Sequence, residues 1–324
     1  MPSIYTHNYF SKELYNNLDE KKVIKPKDPT SLLIFSQSFD YLFSYNLTNL
    51  KKGKNIRKLG HYGHMHNVWE YFKNILQYMK KHKLYDDGNI GYLYGSLSHY
   101  ILDSTIHPYI HYISGRYNRS DKANTKKYAG NHAKNEIMID SIYYYKDNKE
   151  PYNKFKLYKH MFPNVKFSES LSKNINNAYK ETFNHKDMAK TYYKAYNQCR
   201  FIYRYLMYDR FNVKKQAYKI FDFFTPNKNF KASCYTHHIK SPNYELLNLN
   251  HKTWLHPITG EKHSESFDDL YNIALQRVIE CINISNKYFN DKCDIKKVEK
   301  IIKNISYSTG LDADIRAEFK YFAF

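Results

Sequence analysis

The amino-acid sequence predicts an all-α fold, and three observations support that prediction. Ten glycines and nine prolines among 324 residues are few, which argues against fibrous and turn-rich all-β chains. Hydrophobic residues make up 42% of the chain and aromatic residues 18%, enough to bury a large core. Apolar side chains recur at helical spacing through most of the chain. We therefore expect a helical bundle that forms one domain over residues 1–324.

The first predicted helix covers residues 31–46. Its apolar side chains fall on one helical face; they are Leu32, Phe35, Phe39, Leu42 and Phe43. Asp40 then lies inside an apolar helix, where a carboxylate needs a partner.

Two more helices are predicted over residues 64–82 and 89–107. The first has an apolar stripe, whereas the second is apolar around nearly its whole circumference, which is typical of a central buried helix. This central helix should end near His107, because Pro108 disfavours helical geometry in the preceding residue.

Helical periodicity continues toward the C-terminus. The remaining predicted helices cover residues 128–146, 168–184, 187–223 (as one helix or two), 266–288 and 295–305. Residues 226–264 show no sustained period and contain three prolines. An irregular segment of this length inside a compact domain is usually a lid or a binding element.

Charge and cysteine content bear on partners and compartment. The chain has 51 Lys and Arg against 31 Asp and Glu, a net charge of +20 that invites nucleic-acid or anionic-membrane partners. The lysines are scattered, however, and Lys, Asn, Tyr and Ile are abundant together, as expected of an AT-rich genome.

The four cysteines form no Cys-x-x-Cys pair, and neither a signal peptide nor a membrane-spanning apolar run is found. We expect a cytoplasmic protein.

Metal-ligand side chains recur at every fourth residue on two of the predicted helices, which places each set on one helical face. The sets are His99, Asp103 and His107, and His132, Glu136 and Asp140. Burying such groups unpaired would be costly, and metal binding removes that cost. Imidazole and carboxylate without thiolate favour zinc. We therefore predict a multinuclear zinc centre in which Asp103 can bridge two ions.

Further candidates lie outside these two sets. Asp40 needs a partner in the core. His64 and His66 are two positions apart and cannot share one helical face, so we expect only one of them to be a ligand. His7 has little support from spacing alone, and His111 is expected to be structural or to face the substrate.

These residues stand in segments that resemble the zinc-dependent phospholipases C and, more closely, their signal-less bacterial relatives. The strongest similarity is GSLSHYILDSTIHPYIHY at residues 95–112, followed by NHAKNEIMID at residues 131–140. The other similar segments are Tyr5-Thr6-His7, Phe39-Asp40, GHYGHMHN at residues 60–67, and residues 247–271. The resemblance spans most of the chain, and the order of its His-x-x-x-Asp and His-x-x-x-Glu motifs is specific.

The resemblance implies an all-α bundle around a zinc cluster of two or three ions. One ion would be held by Asp40, His66 or His64, His99 and Asp103, a second by His107, His132 and Glu136, and a third by His7 with Asp103 as the bridging carboxylate. Secreted members complete the third site with a free N-terminal Trp, which this sequence lacks. Residues 1–146 would form the metal-binding core and residues 147–324 a helical C-terminal part with a lid at 226–264.

The cluster and the resemblance imply a zinc-dependent phosphodiesterase of the phospholipase C kind, in which metal-activated water attacks a phospholipid or another phosphodiester. Asp40 is the candidate catalytic base as well as a ligand, and Asp140 is expected to orient a ligand such as His132. The alternatives are a metal-dependent single-strand nuclease and a non-catalytic, metal-stabilised binding protein. Peripheral contact with anionic membranes is also expected, with nucleic acid the less favoured partner.

Overall fold

Helices make up most of the computed structural model, which describes residues 4–47, 49–115, 127–225, 231–239, 241–315 and 318–323. They account for 66% of the chain, and the strands in those ranges form one small two-stranded sheet, so the all-α prediction is confirmed. None of the helices described is long and apolar enough to cross a membrane. The four cysteines form no disulfide.

The helices are numbered in chain order. In the N-terminal half they are α1 (Ile4–Asn17), α2 (Thr30–Phe35), a 3-10 helix (Ser38–Ser44), α3 (Leu50–Gly63), α4 (Val68–His82), α5 (Asp87–Ser114) and α6 (Asn131–Asn148). The C-terminal half contains α7 (Leu157–His160), α8 (Glu169–Phe183), α9 (Met188–Ile202), α10 (Val213–Phe224), α11 (Phe267–Phe289) and α12 (Ile295–Ile302). Strands β1 (Trp254–Leu255) and β2 (Lys262–His263) pair antiparallel, with Trp254 opposite His263.

The central helix is α5, as its apolar circumference predicts. Helices α1, α2, α4, α6, α8 and α11 all pack against it. Gly95 lets α2 approach closely, because a Cβ at this position would lie 2.4 Å from the carbonyl oxygen of Leu32. The 3-10 helix that follows α2 also contacts α5, which brings Asp40 toward the histidines of that helix.

The predicted end of this central helix near His107 is wrong, because α5 continues through Pro108 to Ser114. Proline inside a helix removes a hydrogen bond and crowds the preceding turn, at a cost of about 3 kcal/mol. Packing beyond the proline offsets that cost, since Tyr109 is buried and its hydroxyl donates to the carbonyl of Leu246 at 3.0 Å.

Two serines interrupt the helix predicted over residues 31–46. The hydroxyl of Ser36 donates back to the carbonyl of Leu33 at 2.7 Å, which competes with helix continuation, and Ser38 has a φ of +34°. Asp40 therefore lies in the 3-10 helix rather than in an α-helix.

The other predicted helices differ from the observed ones mainly at their ends. The helix predicted from residue 64 begins at Val68, because Asn67 has the left-handed φ of +55°. His64 is consequently the C-cap of α3, a Lys- and Gly-rich helix that the apolar pattern does not reveal. Residues 187–223 form two helices, α9 and α10, with a π-helical turn at Tyr203–Met207 following the first.

The segment predicted as a lid, residues 226–264, is described apart from residues 226–230 and 240. It contains short 3-10 turns at Ala232–Tyr235 and Tyr244–Leu247 and the β1–β2 hairpin. The ring of Trp254 packs 5.3 Å from that of Tyr109 on α5. A cluster of buried apolar residues runs from Ile4 to Ala313. The lid role and the division of a single domain into two parts stay predictions.

Candidate metal centre

The predicted ligands come together on one face of α5. They arrive from α1, the 3-10 helix, the end of α3, and α6, and they form three groups in which the ligand atoms lie within 4.8 Å of one another. The groups are His7, His99 and Asp103; Asp40, His64 and His99; and His107, His132 and Glu136. Elements far apart in sequence therefore meet through polar side chains in an otherwise apolar core.

Asp103 lies at the centre of the three groups. Its Oδ1 is 3.0 Å from His7 Nε2 and 3.7 Å from His107 Nε2, and its Oδ2 is 3.4 Å from His99 Nε2. The side chain is buried. One carboxylate thus faces a histidine from each group, which is the arrangement that the bridging role requires.

In the group around Asp40, two imidazoles and a carboxylate point at a common space. His64 Nε2 lies 3.0 Å from Asp40 Oδ1 and 3.5 Å from His99 Nε2. The other nitrogen of His64, Nδ1, lies 2.7 Å from the carbonyl oxygen of Gly60 and must donate to it. In the neutral imidazole Nε2 then presents its lone pair to Asp40 and His99. A cation between these atoms would satisfy all three.

The group on α6 is oriented in the same way. His132 Nε2 is 2.9 Å and His107 Nε2 is 3.3 Å from Glu136 Oε1. His107 Nδ1 donates to the backbone carbonyl of Tyr307 at 2.9 Å, which directs Nε2 toward Glu136 and Asp103. Tyr307 is a site residue that the sequence does not reveal, because its contribution is a backbone oxygen.

The electrostatics of the site favour a bound cation. Burial lowers the pKa of His99 to about 3 despite the nearby carboxylates, so this imidazole is neutral and able to coordinate. Burial also opposes protonation of His107, but Asp103 and Glu136 raise its pKa to about 9. Burial raises the pKa of Asp103 and Glu136, yet the surrounding histidines hold both well below their usual range. Ionised carboxylates therefore draw positive charge into the core.

The residues present fit zinc. Asp40 Oδ2, Asp103 Oδ2 and Glu136 Oε2 are buried and have no hydrogen-bond partner among the described residues. The ion-pair partners found for these carboxylates are histidines. Buried carboxylates grouped with imidazoles are the nitrogen and oxygen donor set of zinc sites.

The structure distinguishes His64 from His66. His64 is buried and reaches Asp40, whereas His66 is partly exposed and its ring lies 4.5 Å from that of Tyr62. His66 is in none of the three groups formed by the described residues.

Replacing His64 by Ala should therefore remove about one zinc equivalent, because a tetrahedral site that loses one of its protein ligands binds the ion far more weakly. His66→Ala is the matched control, two residues away in the same turn, and should keep the full zinc content. Metal analysis of the two purified variants checks the prediction. Loss of zinc in His66→Ala alone would assign the ligand to His66 instead.

Asp140 connects α6 to the first turn of α1. Its carboxylate accepts hydrogen bonds from the backbone nitrogens of Tyr5 and Thr6 at 3.1 and 2.8 Å, from the Thr6 hydroxyl at 2.7 Å and from the Tyr152 hydroxyl at 3.2 Å. An anion at a helix N-terminus is favourable. These bonds hold the turn of α1 that His7 follows directly. The expectation that Asp140 orients a ligand such as His132 stays a prediction.

His111 lies beside the α6 group. Its ring centroid is 4.7 Å from that of His132 and 4.4 Å from that of Phe319. Burial, with His132 and His107 nearby, holds the pKa of His111 well below its usual value, so it is neutral. It belongs to none of the three ligand groups, and whether it is structural or faces the substrate stays a prediction.

Comparison with known sequences bears directly on this arrangement. The sequence model of a family described as zinc-dependent phospholipase C matches residues 6–188, more than half of the chain. The chain belongs to this family. Searches of curated proteins and of solved structures gave no significant match.

Membership of the zinc-dependent phospholipase C family agrees with the imidazole and carboxylate groups found in the three ligand groups. The matched span contains every residue of the three ligand groups, from His7 to Glu136. Tyr307, which orients His107, comes from outside this span. The C-terminal part of the chain thus contributes to the geometry of the centre.

Zinc binding should be stronger at alkaline than at neutral pH. The pKa of His107, raised to about 9, means that this imidazole is protonated at pH 7 in the metal-free protein and must lose its proton to coordinate. That proton is lost as the pH rises through about 9, so apparent zinc affinity should increase from pH 7 to about 9 and then level off. His99, with a pKa of about 3, is neutral throughout this pH range and does not change the zinc affinity with pH. Calorimetric titrations in buffers of different ionisation enthalpy should show proton release at pH 7; zinc binding at pH 7 without proton release would contradict the prediction.

Proposed function

We propose that this chain is a zinc-dependent phosphoric ester hydrolase that cleaves a phosphodiester bond, with phospholipid as the favoured substrate. The observation that carries the proposal is Asp103, one buried carboxylate facing histidines of three ligand groups. A cluster joined in this way suits a phosphodiester, whose several oxygens need counter-charge at closely spaced points. Family membership supports the choice of phospholipid.

In this proposal each ligand group holds one ion. The first ion would be bound by Asp40, His64 and His99, the second by His107, His132 and Glu136, and the third by His7 and Asp103 with His99 nearby. Bound zinc supplies a Lewis acid that lowers the pKa of water and offsets negative charge on phosphate oxygens. His64 Nδ1 and His107 Nδ1, held by backbone carbonyls, keep the coordinating nitrogens aimed at the cluster.

Asp40 is proposed as the group that accepts the proton of the attacking water. Burial raises its pKa, but the close contact with His64 holds it below the usual value, so Asp40 is ionised at neutral pH. Its Oδ1 faces His64, while its buried Oδ2 has no hydrogen-bond partner in the described part of the chain. That oxygen is available to take up a proton.

A small cavity supplies a place for water beside the cluster. Its volume is about 20 Å³, enough for roughly one water molecule. The polar side chains that line it are Thr6, His7, Asp103, His107 and Glu136. The substrate must approach from another direction, and His132, whose side chain is 33% exposed, marks the most open side of the ligand set.

The inner leaflet of the plasma membrane is the proposed place of action. Four cysteines without a disulfide are consistent with a reducing compartment, where the enzyme would meet phospholipid at that leaflet.

The test is a panel of phosphodiesters given to zinc-loaded protein whose metal content has been measured. We expect hydrolysis of a chromogenic phosphocholine ester and of phospholipid vesicles. Cleavage of single-stranded DNA without lipid hydrolysis would favour the nuclease alternative. No turnover of any substrate at full zinc content would favour the non-catalytic alternative.

A further inference from the structure

Helix α10 presents its apolar face away from the protein. Val213, Ile220 and Phe224 fall on one side of this helix and are 69%, 60% and 74% exposed. No residue of α10 is buried. A surface helix of a globular protein ordinarily turns its apolar stripe toward the core, so this orientation is inverted.

The polar face of α10 is the one attached to the protein. Lys214 Nζ donates to the carbonyl of Tyr208 at 2.7 Å, and Lys215 Nζ donates to that of His238 at 3.1 Å. On the same side, Asp222 accepts from the backbone nitrogens of Ala232 and Ser233 at 2.8 and 3.0 Å, and Tyr218 donates to the carbonyl of Leu206. These bonds fix the helix with its apolar side outward.

Neighbouring side chains enlarge this apolar surface. Phe211 and Phe223 are 77% and 78% exposed, and Leu206, joined to α10 through Tyr218, is also exposed. We call the set the outer face; its members are Leu206, Phe211, Val213, Ile220, Phe223 and Phe224. An exposed apolar patch of this kind marks an interaction site.

Positive charge lies beside the outer face. Residues 200–225 contain six Lys and Arg against two Asp, and both Asp side chains are engaged by backbone nitrogens. On the flank of α10, a groove of about 320 Å³ is lined by Lys134, Lys215 and Lys219. The three lysines are close together because they line the same groove, where burial and the charges of Lys219 and Lys134 lower the pKa of Lys215. Such a groove suits an anionic headgroup.

Helix α10 is connected to the open side of the metal centre through one short turn. The turn Ala232–Tyr235, which Asp222 of α10 holds, packs against the start of α6. Gly130 allows that contact, because it has a φ of +83° and a Cβ there would lie 2.8 Å from Cys234 Sγ. His132, the most exposed ligand, is two residues farther along.

We propose that the outer face docks this protein on a bilayer that contains anionic phospholipid, with Phe223 and Phe224 entering the interface and the lysine groove binding headgroups. An aromatic apolar face bordered by lysines is the composition of helices that lie in a membrane interface. Charge complementarity selects this occupant over a second copy of the chain, since each copy carries a net charge of +20. The inference deepens the proposed function, because docking would bring His132 toward the lipid surface.

Sedimentation with phosphatidylcholine vesicles, with and without phosphatidylglycerol, tests the docking directly. We expect the full chain in zinc-containing buffer to pellet more strongly with the anionic vesicles and less as salt rises. Phe223→Ser with Phe224→Ser should weaken vesicle binding about 100-fold. Leu249→Ser with Ile273→Ser, which changes two exposed apolar residues outside the outer face, is the control and should bind as the parent does.

A lysine variant distinguishes the contribution of the lysine groove to vesicle binding from that of the apolar outer face. Lys219→Gln should weaken binding to anionic vesicles about fivefold and leave binding to phosphatidylcholine vesicles unchanged. Circular dichroism melting shows that each variant is folded, as expected for exposed positions.

Several results would overturn the docking proposal. The first is that the variant with both Phe223→Ser and Phe224→Ser pellets with anionic vesicles as strongly as the parent protein. The second is that the parent protein is a dimer in solution and this variant is a monomer, which would assign the outer face to a second copy of the chain. Sedimentation measures vesicle binding without any hydrolysis, so the docking proposal and the proposed function can be refuted independently. Vesicle binding without hydrolysis contradicts only the proposed function, and hydrolysis of a soluble phosphocholine ester without vesicle binding contradicts only the docking.

Discussion

Replacing Asp103 by Asn should reduce phosphodiester hydrolysis at least about a thousandfold. The carboxylate lies 3.0 Å from His7, 3.4 Å from His99 and 3.7 Å from His107, so all three ligand groups depend on it. An amide has nearly the same shape but carries no charge and offers one oxygen instead of two. The change therefore tests the charge of the bridge while leaving the packing of α5 in place.

Activity on a phosphocholine ester and zinc content should be measured together on this variant. We expect activity to be lost and zinc content to fall by about one equivalent, with the helical circular dichroism spectrum retained. Asp268→Asn is a suitable control, because Asp268 is also a carboxylate that contacts α6 residues, Tyr143 and Lys146, but lies outside the ligand groups. Full activity of Asp103→Asn at normal zinc content would refute a catalytic role for the cluster.

Regular spacing explains why part of the site can be predicted from the sequence. His99, Asp103 and His107 do lie on one face of α5, and His132 and Glu136 on one face of α6, because the helical period alone fixes these relations. Burial of α5 follows from its apolar circumference for the same reason.

Features that depend on tertiary contacts could not be predicted in this way. The choice between His64 and His66 rests on the end of α3, where the carbonyl of Gly60 in the last turn orients the ring of His64. The carbonyl of Tyr307 acts across 200 residues of sequence and carries no side-chain signal. Pro108 continues a helix that local rules would end, because burial of the following turn outweighs the local cost.

Helix α10 shows a further limit of pattern analysis. Its periodicity correctly indicates a helix, but amphipathicity specifies only that the two faces differ. Which face meets the protein is decided by partners such as Ala232 and Ser233, whose backbone nitrogens bind Asp222. The outward apolar side is therefore a property of the fold and not of the pattern.

Removing zinc should destabilise the fold strongly. The ligands His7, Asp40, His64 and Glu136 bring imidazoles and carboxylates against α5, and without metal several buried oxygens there have no hydrogen-bond partner among the described residues. Each ion bound only by the folded state, at a free concentration of a thousand times its Kd, contributes about 4.1 kcal/mol. With two or three ions we expect chelation to lower Tm by about 10 °C or more.

Calorimetric melting at pH 7 before and after chelation, followed by addition of zinc or magnesium, distinguishes this effect from damage by the chelator. Zinc should restore Tm and magnesium should not, because magnesium prefers octahedral oxygen ligands over imidazole. His66→Ala should show the full shift, and Asp103→Asn a smaller one, since part of the metal is already missing in that variant. An unchanged Tm would mean that protons on His107 and its neighbours balance the buried carboxylates as well as zinc does, and that the core is stable without the metal.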